Sequence, residues 1–146
     1  MIHNLTKKTV IARKSFVAMT FHDRARGLIA RNFQDFDAMV FNNCSSIHTM
    51  FMSMSIDVLF VDRDNKICGL RRNLSPWIPF VRVPDAISVI ELPVGTIERS
   101  NTEKDDVIDL NAELTEKAMQ VLIGKEIVSP QIAASFKGIK NLDAGK

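Results

Sequence analysis

Cys44-Ser-Ser-Ile-His-Thr-Met-Phe-Met-Ser-Met-Ser-Ile-Asp-Val-Leu-Phe-Val-Asp62 is the stretch that decides the fold. Its second half, Ile56–Val61, is nearly all apolar, which is typical of a strand buried on both faces of a sheet. Its first half, Cys44–Met52, alternates in character and predicts a second strand with His48 and Met50 on one face. The stretch therefore places thiol, hydroxyl, imidazole and carboxyl groups beside the predicted core.

The residues around this stretch predict one hairpin turn, two short helical segments and several further strands. Asp62–Lys66 predicts a hairpin turn, and Thr20-Phe-His-Asp23 resembles a capping box that begins a short helix ending near Ile29. Gly95 and the residues after it predict a single helical turn over Thr96–Ser100. Further short strands are predicted at Thr9–Ala12, Ser15–Met19 (continuing or pairing with the first), Ala38–Phe41, Ile67–Leu70, Ile87–Leu92 and Val107–Leu110.

The hydrophobic period changes after Leu110. Asn111 is a good helix cap for Ala112–Ile123, and Ser129-Pro130 favours the start of a second helix near Gln131–Lys137. We therefore predict a mostly β (α+β) protein. A compact barrel- or jelly-roll-like domain spans residues 1–110, and a helical extension packed on it spans residues 111–146.

Composition excludes several functional classes. The chain has 146 residues, 46% of them hydrophobic and 25% charged, which fits one globular domain. The net charge of +2 is small, and basic pairs such as Lys7-Lys8 and Arg71-Arg72 lie in separate segments, so we expect no nucleic-acid partner. No signal peptide and no membrane span are predicted. Cys44 and Cys68 are expected to be free thiols in a cytoplasmic protein.

Two acids lie in apolar strands. A buried carboxylate needs a cation or several hydrogen-bond donors, since otherwise its pKa rises. Asp57 therefore has two interpretations, a structural ion pair or an acid lining a pocket, and Glu91 has the same two. The candidate cations for an ion pair are Arg24, Arg26 and Arg99.

Cys44 and His48 lie four residues apart, which in a strand separates them by about 13 Å. That distance is too long for a hydrogen bond, so we expect no nucleophile–base pair from this segment unless the chain turns between the two residues, and we interpret His48 as a structural or pocket-lining residue. Cys44, His48 and the nearby methionines suit a soft metal, but alternate strand residues are about 6–7 Å apart, so we expect no metal and no cofactor.

Trp77 lies in a proline-rich loop that contains Pro76, Pro79 and Pro84. An indole fixed by such a loop either forms a stacking platform for a sugar or peptide or covers the core. Both interpretations stay open at this point.

Four motifs resemble a known family. They are Arg24-Ala-Arg-Gly-Leu28, Cys44-Ser-Ser-Ile-His-Thr-Met-Phe-Met52, Ile56-Asp-Val-Leu-Phe-Val-Asp62 and Glu91-Leu-Pro-Val-Gly95. In this order and spacing they look like the bacterial and archaeal family called domain of unknown function 192, over about Val10 to Leu110. The resemblance implies a compact, mostly β domain and no established activity. Lys104-Asp-Asp106 departs from the Gly-Asp that the family usually has before its last strand.

Three functions are consistent with these residues. The first is a non-enzymatic module that binds a small polar ligand or a protein segment near His48, Asp57, Trp77 and Glu91, with Ser46 and Met50 as further contacts. The second is an acid–base enzyme of hydrolase or isomerase type that uses Asp57 or Glu91 with His48. The third is an assembly protein that acts through its C-terminal helices. The sequence favours the binding module because it contains no nucleophile–base or phosphate-binding motif.

Overall fold

Strands dominate the structure of this chain. The computed structural model of the chain describes residues 1–29 and 31–110. The strands are β1 (Ile2–Asn4), β2 (Thr9–Ala12), β3 (Ser15–Val17), β4 (Ala38–Asn42), β5 (Ser46–Ile47), β6 (Ile56–Val61), β7 (Ile67–Leu74), β8 (Val81–Arg82) and β9 (Ser88–Pro93), and the helices are α1 (Phe21–Arg26) and α2 (Thr96–Arg99).

The main sheet has five strands in the order β3-β4-β9-β6-β7. β3 and β4 are parallel, and the other pairs are antiparallel. Two further sheets, β1-β2 and β5-β8, have two strands each. The mostly β prediction is confirmed, but the sheets of the described residues do not close into the predicted barrel. The predicted helices within residues 111–146 lie outside the described part of the chain.

The central strands are covered on both faces. All six residues of β6 are buried, as the apolar run predicted, and β9 lies at the middle of the sheet. Val58 pairs with Glu91, and Asp57 pairs with Leu92. Because side chains alternate between the faces of a strand, this register places Val58 and Glu91 on one face and Asp57 and Leu92 on the other.

The face that carries Glu91 also carries a large apolar cluster. The cluster continues into partly buried aromatic residues, where the ring of Phe36 lies 5.6 Å from that of Phe16 and 5.7 Å from that of Phe33. These contacts bring the segment between α1 and β4 over this face of the sheet. The buried members are Ala18, Leu28, Met39, Phe41, Met52, Ile56, Val58, Phe60, Ala86 and Val89.

The capping box begins α1 as predicted. The Thr20 hydroxyl accepts a hydrogen bond from the Asp23 backbone N–H at 3.0 Å. The helix ends at Arg26, three residues earlier than the predicted Ile29, because Gly27 has φ 49° and ψ −128°. This backbone conformation is accessible to glycine and is strained for other residues, so Gly27 ends the helix rather than lying within it.

The strand predicted over Cys44–Met52 is wrong. Only β5 forms there, pairing with the unpredicted β8, and the chain then turns. The cause is Thr49, whose buried hydroxyl donates to the Ser75 carbonyl at 2.7 Å and accepts from the Ile78 N–H at 2.9 Å. These side-chain bonds to a distant loop replace a strand ladder.

Two other strand predictions need correction, and one strand was not predicted. Ser15–Val17 pairs with β4 and not with Thr9–Ala12. Val107–Leu110 forms isolated bridges through Val107 and Ile108 instead of a strand. β1 was not predicted, because its three residues give too short a pattern to recognise.

Asp57 joins β6, β7 and α2 on the face of the sheet opposite Glu91. One of its carboxylate oxygens accepts the Asn73 backbone N–H at 2.9 Å, and the other accepts the Ile97 N–H at 3.0 Å. Asn73 has φ 50° and lies where the β6–β7 register shifts, and Ile97 is in the first turn of α2. The carboxylate therefore fixes the irregular end of β7 and the start of α2 against β6.

Replacement of Asp57 by Ala is expected to lower the free energy of unfolding by about 3 kcal/mol, because two backbone N–H groups lose a charged acceptor. Asp57→Asn retains one acceptor oxygen and should lose less. Urea unfolding monitored by circular dichroism measures both variants. Asp64→Asn, at an exposed position of the β6–β7 turn, is the control and should change stability by less than about 0.5 kcal/mol. Equal stabilities for Asp57→Ala and the control would contradict the role of Asp57.

Candidate functional site

Glu91 is an acid in the middle of an apolar face. It lies in the central strand β9, and its cross-strand neighbours are Met39 on β4 and Val58 on β6, both fully buried. Glu91 itself is 3% exposed, and its Oε2 has no hydrogen-bond partner among the described residues. Burial without a compensating charge raises the pKa of Glu91 from its ordinary 4.5 to about 8. The side chain is therefore mostly neutral at pH 7.

A cavity of about 170 Å³ lies against Glu91. Its walls come from α1 and the turn that follows it, from β4, and from the segment between β4 and β6. The wall residues combine apolar surface with several polar groups. They are Arg24, Ala25, Arg26, Gly27, Leu28, Ile29, Phe41, Cys44, Ser46, Ile47, His48 and Met52.

Arg24 is held at the cavity wall by backbone carbonyls. Its guanidinium donates to the Asn42 carbonyl oxygen at 2.6 Å and more weakly to the Asn43 carbonyl at 3.4 Å. Next to it, Gly27 lies beside Phe41 and turns the chain with a φ of 49°, a backbone conformation that glycine adopts without strain. The two residues together fix the α1 side of the cavity.

The opposite wall is formed by the segment Cys44–His48. The Cys44 thiol donates to the Ser46 carbonyl oxygen at 3.0 Å, and His48 Nδ1 accepts the Met50 backbone N–H at 3.2 Å. An Nδ1 that accepts a hydrogen bond places the proton of a neutral imidazole on Nε2. Thiol and imidazole are each engaged by their own turn, so neither contact joins them as a catalytic pair.

The structure brings some of the candidate residues together and separates others. Ser46, His48 and Glu91 line the cavity together. Asp57 lies on the opposite face of the sheet from Glu91, so the two acids do not share a site. Met50 and Trp77 are outside the cavity lining.

The candidate arginines donate to backbone carbonyls. Arg24 and Arg26 line the cavity, and Arg26 Nε donates to the Ile29 carbonyl oxygen at 3.3 Å. Arg99 donates to the Ile11 carbonyl oxygen at 3.3 Å. Asp57 is bound by two backbone amides instead of by a guanidinium.

Trp77 forms an exposed aromatic pair with Phe51. The ring centroids are 5.1 Å apart at an interplanar angle of 63°, and the two residues are 57% and 64% exposed. Both have positive φ values, 67° and 63°, which bulky residues rarely adopt. The backbone N–H of Trp77 donates to the Thr49 carbonyl oxygen at 2.8 Å. Thr49, which turns the chain, therefore also positions the aromatic pair. Trp77 therefore lies at the surface and does not cover the core.

Sequence reasoning did not identify the whole cavity. The sequence predicts Gly27 within a helix and Phe41 within a strand, and it offers Arg24 as an ion-pair partner. The available signal was the motif Arg24-Ala-Arg-Gly-Leu28, in which a glycine and two cations interrupt an apolar face. Across residues 1–29 and 31–110, no three His, Cys, Asp or Glu side chains cluster as a metal site, and no helix has the length and apolarity to cross a membrane.

Comparison with known proteins gives a family and no activity. The family DUF192, described as "Uncharacterized ACR", matches residues 3–110. A UPF0127 protein from Thermococcus sibiricus is 37% identical over 97% of this chain and 89% of its own length. A UPF0127 protein from Thermococcus kodakarensis is 32% identical over 97% of this chain and 90% of its own length.

A solved structure shares the fold. The crystal structure of a protein of unknown function from Novosphingobium aromaticivorans aligns with a TM-score of 0.58 and 20% identity. The alignment covers 65% of this chain and 73% of that protein. At this identity the likeness supports the architecture alone.

The burial of Glu91 predicts a pH-dependent stability. A carboxyl whose pKa is raised on folding contributes most favourably below its unfolded value, and this contribution is lost as the pH rises toward the folded value. The unfolding free energy of Glu91→Gln minus that of the wild type should therefore increase between pH 4.5 and about 8 and then stay constant. The total should reach a few kcal/mol, since each pKa unit corresponds to about 1.4 kcal/mol.

Urea unfolding of both proteins at pH 5, 6, 7 and 8 measures this difference. Glu98→Gln, an exposed acid on α2, serves as the matched control and should show a nearly flat difference. A flat difference for Glu91→Gln as well would show that Glu91 titrates normally in the folded protein.

Proposed function

The chain belongs to the DUF192 family, which has no assigned activity, and from this premise we propose that it is a non-enzymatic binding module for a small polar ligand. The ligand site is the cavity that Glu91 lines together with Ser46 and His48. The observation that carries the proposal is the buried carboxyl of Glu91, whose Oε2 has no hydrogen-bond partner among the described residues.

An unpaired buried carboxyl lowers stability, so its presence needs a compensating role. Leaving a buried polar atom unsatisfied costs about 1–3 kcal/mol, and an apolar residue between Met39 and Val58 would avoid that cost. A ligand that supplies hydrogen bonds to Glu91 would recover it. A perturbed acid in a cavity with a few polar groups and apolar walls is typical of a ligand site.

Catalysis by an acid–base mechanism is the second candidate. It is supported by one observation, that Glu91 has a pKa of about 8 and lines the same cavity as His48. An acid with a pKa near neutrality can both give and take a proton. Asp57 takes no part in this version, because it lies on the other face and binds two amides.

The aromatic pair of Phe51 and Trp77 is proposed as a secondary contact surface for a protein segment. Its support is the exposure of both rings. Assembly through helices after Leu110 and a cytoplasmic location both stay predictions.

Binding in the cavity can be tested with a library of small polar fragments. In ¹H–¹⁵N spectra of the full chain, ligands are expected to shift the amides of Ala25, Gly27, Ser46 and His48. Glu91→Gln should weaken these ligands at least tenfold by removing the carboxyl group that bonds to them. Ala25→Leu should also weaken them, because it adds a larger side chain to the wall of the cavity.

Glu98→Gln is the control variant and should bind like the wild type. Fragments that bind with equal affinity to all four proteins would contradict a site at Glu91. Turnover of a bound fragment that stops in Glu91→Gln would favour the enzyme over the binding module.

A further inference from the structure

We infer that the ligand of this cavity is a small primary amine, bound as its ammonium ion by the carboxylate of Glu91. This inference rests on the proposed function, since it names the ligand class for the same cavity. Binding places the ammonium against Glu91 and releases the carboxyl proton to solvent.

The surroundings of Glu91 provide the first argument. Its cross-strand neighbours, Met39 and Val58, have no side-chain hydrogen-bond donors, and its Oε2 is unpartnered among the described residues. An ionised carboxyl is a hydrogen-bond acceptor only, and an ammonium group is a donor only, with three N–H bonds. An ammonium group would therefore supply the hydrogen-bond donor that Glu91 Oε2 lacks among the described residues.

Other ligand groups fit less well. A hydroxyl can bond to the neutral acid, but hydrogen bonds between charged groups are roughly twice as strong as those between neutral groups. An anion would be attracted to Arg24 and Arg26, but these guanidinium groups already donate to backbone carbonyls, Arg24 to Asn42 and Asn43 and Arg26 to Ile29. The neutral Glu91 carboxyl can donate its O–H to an anion, but the ionised carboxyl repels it, so anion binding would weaken as the pH rises, opposite to the trend expected for an amine.

The cavity also limits the size of the ligand. Its volume is about 170 Å³. An apolar protein cavity of about 150 Å³ accommodates benzene, which has six heavy atoms. The walls near Glu91 include Leu28, Phe41 and Met52, which favour a short alkyl chain behind the ammonium.

The charged and titratable groups around the cavity determine how binding depends on pH. Arg24 and Arg26 face it from α1, and Cys44 and His48 face it from the opposite wall. The arginines keep their charge at all relevant pH values. Ionisation of Glu91, whose pKa in the empty protein is about 8, supplies the negative charge that binds the ammonium. Amine affinity should rise about tenfold per pH unit up to about pH 8 and level off above it.

Three probes of similar size test the inference, namely butylammonium, 1-butanol and butanoate. Each is titrated into the full chain at pH 6, 7 and 8, and the ¹H–¹⁵N shifts of Ala25, Gly27, Ser46 and His48 give the dissociation constant. Butylammonium should bind at least tenfold more tightly than the other two at pH 8. Its dissociation constant should fall about tenfold from pH 6 to 7. Glu91→Gln should weaken it at least tenfold and remove the pH dependence, and Glu98→Gln should not.

The wild type alone provides a second measurement if Glu91→Gln fails to fold. Calorimetry of butylammonium binding at pH 7, in two buffers with different ionisation enthalpies, should show the release of nearly one proton per ligand. Release of no protons would overturn the inference.

The outcomes separate the ligand class from the binding function. If 1-butanol or butanoate binds at the cavity as tightly as butylammonium, the amine inference is overturned and the binding module stands. If none of the three shifts the cavity amides at a concentration of about 50 mM, well above the usual range of substrate KM values up to about 1 mM, the amine inference is also overturned. The fragment screen then decides whether the cavity binds anything.

Discussion

The pairing register between β6 and β9 is the constraint on which the site depends. It sets Val58 opposite Glu91 and Asp57 opposite Leu92. Since side chains alternate along a strand, a slip of one residue would exchange the faces of both acids. The register is held by apolar burial, because all of β6 and the first five residues of β9 are buried. The position of the cavity acid is thus a consequence of core packing.

The same register gives the two acids opposite roles. Asp57 meets two backbone N–H groups at 2.9 and 3.0 Å and becomes a structural joint between β7 and α2. Glu91 meets Met39 and Val58, which offer it no hydrogen bond. The two side chains are buried almost equally, since Asp57 is 2% exposed and Glu91 is 3% exposed. The difference in chemistry therefore comes from the available donors, and only Glu91 is left with a capacity for a ligand.

Much of the fold was predictable from local patterns. Ile56–Val61 and Thr9–Ala12 form strands with the predicted bounds, and the capping box at Thr20 begins α1. The strand predicted over Cys44–Met52 failed because Thr49 bonds to Ser75 and Ile78, which are 26 and 29 residues away. The hydrophobic periodicity of Cys44–Met52 cannot predict a hydrogen bond to residues so far away in the sequence.

The candidate site was predictable only in part, for the same reason. Asp57 and Glu91 look alike in sequence, since each is an acid within an apolar strand. Which of them meets donors depends on the strand order and on the irregular end of β7, where Asn73 has a positive φ. His48 and Ser46 line the same cavity as Glu91, and Arg24 and Gly27 reach it from α1 and the turn that follows it.

Conflict between local and global rules is the strongest sign of function in this molecule. Strand β9 is otherwise apolar or small, its neighbours are apolar, and yet its fourth residue is a carboxylic acid. Sequences that fold well agree with their structure at every level, and natural proteins depart from this agreement mainly at functional sites. The departure at Asp57 is resolved within the fold by two amides. The departure at Glu91 is not resolved by the described residues, and it is the conflict that the proposed ligand would resolve.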